Sequence, residues 1–181
     1  MPKPLFRRVL AKDWDNVPAP IATIHEIGDG VTWHGAATVL AGPSLLARMV
    51  SVIGRLPPSA ENVSLTVQMI PDGSGETWLR RFGTHPMSSL LIPGRAPGTI
   101  NETLGGITAY LRLHANAHGI LQTLEGMRLC GIPLPKVLWP DLKIEESAVG
   151  DTYRFLVAIS IWGIPLLRYE GHLETKTTNE S

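Results

Sequence analysis

The chain holds a single cysteine, Cys130, among its 181 residues. That excludes an intrachain disulfide framework or a zinc site built from several thiolates, and it fits a reducing compartment. A surplus of charge of one sign is missing as well: 16 Lys and Arg balance 16 Asp and Glu, with no local basic run longer than a pair. No nucleic-acid partner is expected, because phosphate backbones are held by clustered cations. Long apolar runs are also lacking. The two longest, 45–53 and 156–167, are broken by Arg48, Ser51, Ser160, Gly163 and Pro165, well short of the roughly 20 residues of a bilayer-crossing helix. No integral membrane span is expected. Lys3, Arg7 and Arg8 are followed by Lys12, Asp13 and Asp15 rather than by an apolar stretch, so the reading is a cytoplasmic protein without a signal peptide. Nucleophile elbow, P-loop and dinucleotide fingerprint are all missing. The glycines within 94–106 have the wrong spacing for a phosphate cradle, with no helix after them.

What is present is alternation. An apolar share of 44% is enough for a sizeable core, and the length fits one domain over 1–174 with a flexible tail at 175–181. Leu5, Phe6, Val9 and Leu10 recur at helical spacing, and Asp15 or Asn16 can cap a second short helix bearing Ile21, Ile24 and His25. After the turn residues Gly28, Asp29 and Gly30, segment 31–40 is rich in β-branched and aromatic residues and predicts a strand. Leu45, Leu46, Met49, Val50 and Ile53 form the best helical stripe, between Pro43 and Gly54. Val63, Leu65, Val67 and Met69 then alternate with polar residues, as a half-buried strand does. Segments 76–82 (continued beyond Pro86 by 87–92), 107–115, 120–129, 142–147, 152–162 and 166–174 follow as strands, with 93–106 read as a Gly- and Pro-rich loop. Short turns between them require antiparallel pairing. The fold expected is α+β, mostly β: a curled antiparallel sheet of seven or eight strands, a half-barrel or open barrel, with a few helices packed on it. Such a curl can enclose a cavity.

A short echo marks two corners: Gly131-Ile132-Pro133-Leu134 and Gly163-Ile164-Pro165-Leu166 each follow a strand-like segment, ending in Cys130 or Trp162. These corners are apolar where connections are usually polar. Either they fold back and pack on the sheet, or they form a greasy rim that borders a pocket, docks on a membrane or partner, or joins two copies in a homodimer.

Candidate chemistry sits on strand faces. Tyr110, Arg112 and His114 project to one side, and Ile107, Ala109, Leu111 and Leu113 to the other. If the polar side is concave, Trp78, Arg80, Glu125, Arg168, Glu170 and His172 can meet it there. The candidate ligand-binding residues are then Trp78, Arg80, Tyr110 and Arg112. The candidate catalytic residues are His114 or His172 paired with Glu125 or Glu170, as proton-transfer groups. The alternative is that these side chains form the wet face of the sheet. Trp78, Arg80 and Phe82 share one face, and Trp78 with Arg80 suits a cation–π contact or a clamp on a ligand carboxylate. His114 and His118 straddle a turn, so no metal site is read there. Cys130 is read as a buried small hydrophobe.

Pro71-Asp72-Gly73 with Glu76-Thr77-Trp78-Leu79-Arg80-Arg81-Phe82-Gly83, then Leu129-Cys130-Gly131-Ile132-Pro133-Leu134-Pro135, and Tyr169-Glu170-Gly171 resemble, in that order, a bacterial family catalogued as domain of unknown function 4166. The likeness covers nearly the whole chain. Relatives stand alone or follow a reductase domain similar to saccharopine dehydrogenase, which implies small-molecule metabolism but transfers no catalytic residue. Three functions stay open. The first is binding of a small apolar, acyl or polyketide-like molecule in the curled sheet, with no cofactor. The second is a cofactor-free isomerase, cyclase or hydrolase, and the third is a partner subunit of a reductase.

Overall fold

The computed structural model describes residues 3–26 and 31–174. The turn expected at Gly28, Asp29 and Gly30 and the tail at 175–181 lie outside the described residues. Three short helical pieces come first: α1 (Leu5–Leu10), a 3-10 helix (Ala11–Asn16) and α2 (Ala19–His25). Neither Asp15 nor Asn16 caps α2; both belong to the 3-10 helix, and α2 starts at Pro18 without a side-chain cap. The remaining elements are β1 (Thr32–Ala41), α3 (Leu45–Gly54), β2 (Ala60–Asp72), β3 (Gly75–Phe82), β4 (His85–Pro93), β5 (Thr99–Leu104), β6 (Ile107–Asn116), β7 (Gly119–Leu129), β8 (Ile132–Pro133), β9 (Asp141–Val149), β10 (Thr152–Ile161) and β11 (Ile164–Leu173).

All strands pair antiparallel, and the sheet closes: β1 pairs with β11, and β6 with β7, so that every strand but the two-residue β8 belongs to one ten-strand barrel. The half-barrel expectation is corrected in this respect. Strands this long twist strongly, and closure removes the edges that an open sheet would leave unpaired. The seam needs two glycines. A Cβ at Gly35 on β1 would lie 1.9 Å from the His172 carbonyl oxygen, and one at Gly171 on β11 would lie 2.2 Å from that of Ala36. The strands missed by the sequence reading are the two-residue β8, read as a corner, and β5, inside the expected loop 93–106; Asn101, Glu102 and Thr103 interrupt the apolar pattern of β5, and Gly and Pro flank it.

The barrel is filled from the apolar parity of each strand, with Leu65, Val67, Met69, Ile100, Leu111, Ile120 and Leu167 among its buried residues. Its two ends are closed differently. At the end of the β2–β3 turn, α1 and α2 bury Leu5, Phe6, Ile21 and Ile24, and the Arg8 guanidinium donates to the Ser74 carbonyl at 2.6 Å. At the other end lies α3. It is capped by Ser44, whose hydroxyl accepts from the Ala47 amide at 3.1 Å, and it packs Ala47 against Ile161 and Leu166. No helix among the described residues is long and apolar enough to cross a membrane. The wall's outward side chains, such as Thr108, Arg112, Glu125, Lys143, Glu145, Arg168 and Glu170, reverse the apolar outer band of a membrane-spanning barrel.

Candidate functional site

Closure decides which face is concave. Along β3, the side chains of Glu76, Trp78, Arg80 and Phe82 turn inward, while Thr77, Leu79 and Arg81 turn outward. Trp78 and Arg80 therefore lie inside, at the wall of a cavity of about 70 Å³ also bounded by Phe6, Tyr153, Phe155 and Tyr169. The Arg80 guanidinium stacks 4.7 Å above the Trp78 ring, donates to Ser89 Oγ at 2.9 Å and pairs with Glu102 at 3.3 Å. The cation–π contact read from the spacing is present, and the same guanidinium is already held by three partners.

Two further buried carboxylates share this interior. Glu146 on β9 accepts from His25 Nε2 at 2.6 Å and from the Gln122 amide at 3.1 Å. The ring of His25 is enclosed by aromatic neighbours: Phe6 at 4.1 Å, Trp78 at 5.5 Å and Trp14 at 6.2 Å between centroids. Its Nδ1 is buried with no hydrogen-bond partner among the described residues. Glu76 accepts from the Leu5 amide and from Trp78 Nε1 at 3.0 Å, both neutral donors. Ionised groups in such surroundings stay only where paired or hydrogen-bonded. Burial pushes the Tyr153 phenol well above its ordinary value, and the negative Glu146 beside it adds to that. Burial likewise pushes Tyr169 up to about 12, opposed by the nearby Arg80.

The other sequence candidates are elsewhere. On β6 the inward positions are Ala109, Leu111 and Leu113, so Tyr110, Arg112 and His114 face outward. Arg112 pairs with Glu125 across the β6–β7 hairpin, and His114 Nε2 is 3.1 Å from Thr123 Oγ1. Glu170 pairs with Arg168 at 2.8 Å on the outer face of β11, where His172 borders a shallow groove with Arg154. The expected meeting of Tyr110, Arg112 and His114 with Trp78 and Arg80 in one cavity is therefore corrected: the barrel wall stands between them. His118 lies in the β6–β7 turn, where its amide donates to Asn116 at 2.8 Å. Cys130 is exposed rather than buried, at a two-residue hairpin turn.

The sequence reading missed His25, Glu76, Glu102, Gln122, Glu146 and Tyr153. A usable signal existed for Glu146: it stands at an apolar parity position between Ile144 and Ala148, and a lone carboxylate in an inward register reads as a buried polar site.

The family described as domain of unknown function (DUF4166) matches residues 17–173. The chain belongs to that family. No curated protein matches it. The DUF4166 region takes in α2 and every strand of the barrel, including His25, Arg80, Glu102 and Glu146. It starts after α1, so Phe6, which reaches into the cavity, lies outside the matched DUF4166 region.

Proposed function

We propose that the barrel interior binds a compact, mainly apolar small molecule, an acyl or ring-bearing metabolite whose polar end meets the Arg80–Glu102 and Glu146–Gln122 groups. The observation that carries this reading is the unfilled space of about 70 Å³ between an aromatic wall, the part-buried Arg80–Glu102 ion pair and the buried His25–Glu146 hydrogen bond. A barrel that only had to fold would fill such a space with apolar side chains, since buried pairs seldom repay their desolvation. Pockets for drug-sized ligands run to about 300 Å³ or more, so the ligand is small, or Phe6 and α1 shift as it enters.

The test is native mass spectrometry of the purified chain together with Trp fluorescence titrations using octanoate and phenylpropionate. A retained small molecule or saturable quenching is expected, abolished by Val67→Phe or Leu65→Phe, which fill the cavity. Neither a retained mass nor quenching in the unaltered chain would refute it, as would quenching that persists in Val67→Phe or Leu65→Phe variants shown by melting curves to be folded.

One observation favours a second reading, a cofactor-free isomerase, cyclase or hydrolase. His25 and Glu146 form a buried His–carboxylate pair whose ring Nδ1 has no partner among the described residues, an arrangement suited to proton transfer. The outer candidates, His114 or His172 with Glu125 or Glu170, would take up the same chemistry only by releasing Glu125 from Arg112 or Glu170 from Arg168. Glu146→Gln that binds a probe normally but turns over no candidate substrate supports the inner pair; turnover that persists there and stops in Glu125→Gln or Glu170→Gln supports an outer one.

A further inference from the structure

The barrel end that carries α3 also carries the most exposed apolar side chains of the wall connections. Around α3, Leu46, Ala47 and Val50 turn toward Ile159, Ile161 and Leu166. Leu45, Met49 and Val52, at helical spacing, make the opposite face, with Leu45 and Val52 each 78% exposed. A surface helix with one apolar face buries it and shows a polar face to water; this one is apolar on both.

The two corners that echo each other in sequence reach the same end. Cys130-Gly131 and Trp162-Gly163 are both two-residue turns with positive φ at each residue: 48° and 82° in the first, 50° and 77° in the second. A bulky residue is rarely found in that conformation, yet Trp162 is held there with its ring 64% exposed. Its Nε1 donates to the Val137 carbonyl at 3.0 Å, tying the turn to the 3-10 helix Lys136–Leu138, where Val137 is 70% exposed. Ile132 is exposed beside it.

Positive charge is in excess at this end, where Glu61 and Asp141 are the acidic residues at the starts of β2 and β9. The connections 42–59, 83–84, 105–106, 130–140 and 162–163 contain Arg48, Arg55 and Lys136 and no Asp or Glu, in a chain whose totals cancel. Arg48 and Arg55 flank the exposed apolar stripe of α3 on one side. Apolar protrusions from three separate connections, bordered by Arg48, Arg55 and Lys136, complement a fluid anionic surface. A rigid partner would have to match their shape.

We propose that this end of the barrel docks on the surface of an anionic lipid bilayer. Leu45, Met49 and Val52 enter the interface along α3, Trp162 sits at headgroup depth, and Arg48, Arg55 and Lys136 meet the anionic headgroups. The chain lies on the bilayer and does not cross it. This docking rests on the α3 end alone and does not depend on what the interior binds.

Co-sedimentation of the full chain with vesicles tests it, using phosphatidylcholine alone and phosphatidylcholine mixed with phosphatidylglycerol. Binding is expected to the mixed vesicles, about a hundredfold weaker to phosphatidylcholine alone, from about fivefold for each of the three cations, and weakened by salt. Leu45→Glu and Val52→Glu are each expected to lower the partition constant about tenfold or more, with melting unchanged because both side chains are already exposed. Arg48→Glu with Arg55→Glu should remove the preference for phosphatidylglycerol. No sedimentation with the mixed vesicles at low salt overturns the proposal, as does binding that survives the combined Leu45→Glu, Val52→Glu and Trp162→Ser variant. A solution dimer broken by these same substitutions, with no vesicle binding by the unaltered chain, assigns the face to a second copy and also overturns it.

Discussion

Replacing Glu146 by Leu removes the acceptor of both His25 Nε2 and the Gln122 amide, leaving the imidazole with no hydrogen bond among the described residues. Breaking one side of a buried pair costs about 3–5 kcal/mol. His25→Leu leaves the Glu146 carboxylate with the Gln122 amide and the Tyr153 phenol beside it, at a cost of about the same 3–5 kcal/mol. Independent effects would sum to roughly 6–10 kcal/mol, close to the whole stability of an ordinary domain. The double variant is expected to cost far less. An apolar pair in place of a buried ion pair is near neutral, and the stranded Gln122 amide adds only about 1–3 kcal/mol. The coupling energy is therefore about 3 kcal/mol or more. Urea unfolding measures it, followed by the fluorescence of Trp14 and Trp78, whose rings lie 6.2 and 5.5 Å from that of His25, with the m-value checked for constancy. Costs that add to within about 0.5 kcal/mol would show that His25 and Glu146 are not one buried unit.

Two further predictions concern the wall. The phenols of Tyr153 and Tyr169 are raised by burial, the latter to about 12, whereas the unfolded chain ionises near pH 10. The unfolded state thus loses its protons first, so stability is intact below about pH 10 and falls as pH rises toward 12. Tyr153→Phe should flatten that decline in urea titrations, and an unchanged slope would count against the assignment. Gly35→Val places a Cβ where the His172 carbonyl oxygen would be 1.9 Å away. Backbone cannot yield as a side-chain tip can, so a loss of more than about 3 kcal/mol is expected; a near-native unfolding midpoint would mean that the β1–β11 seam adapts freely.

Much of the wall could be read from the chain because parity is a local property. Val63 to Met69 and Tyr153 to Ile161 alternate cleanly, and both segments are strands of the barrel. The stripe on α3 was equally legible, down to Gly54 at its end. Closure was not legible, because it depends on Gly35 and Gly171 approaching across the whole length of the sequence. The site failed for a related reason. Alternation tells which residues share a face of a strand but not whether that face is concave, and so Arg112 and His114 were grouped with Arg80 although the wall divides them. His25 was read only as part of a helical stripe, since its partner Glu146 lies 121 positions away.

The pairing of β1 with β11 has a consequence for how the molecule is made. The ribosome delivers β1 early, yet its partner on one side is the last strand of the barrel. Until β11 emerges, that edge of β1 carries free amide and carbonyl groups, open to capture by another chain. The segment bearing Phe6 is older still, and its resting place is not built until strands on both sides of the barrel are joined. Contacts this distant in sequence slow folding. Holding the nascent chain apart from its neighbours is thus a requirement written into the topology, and crowding during synthesis should trap strand-exchanged pairs that a refolded, dilute sample escapes.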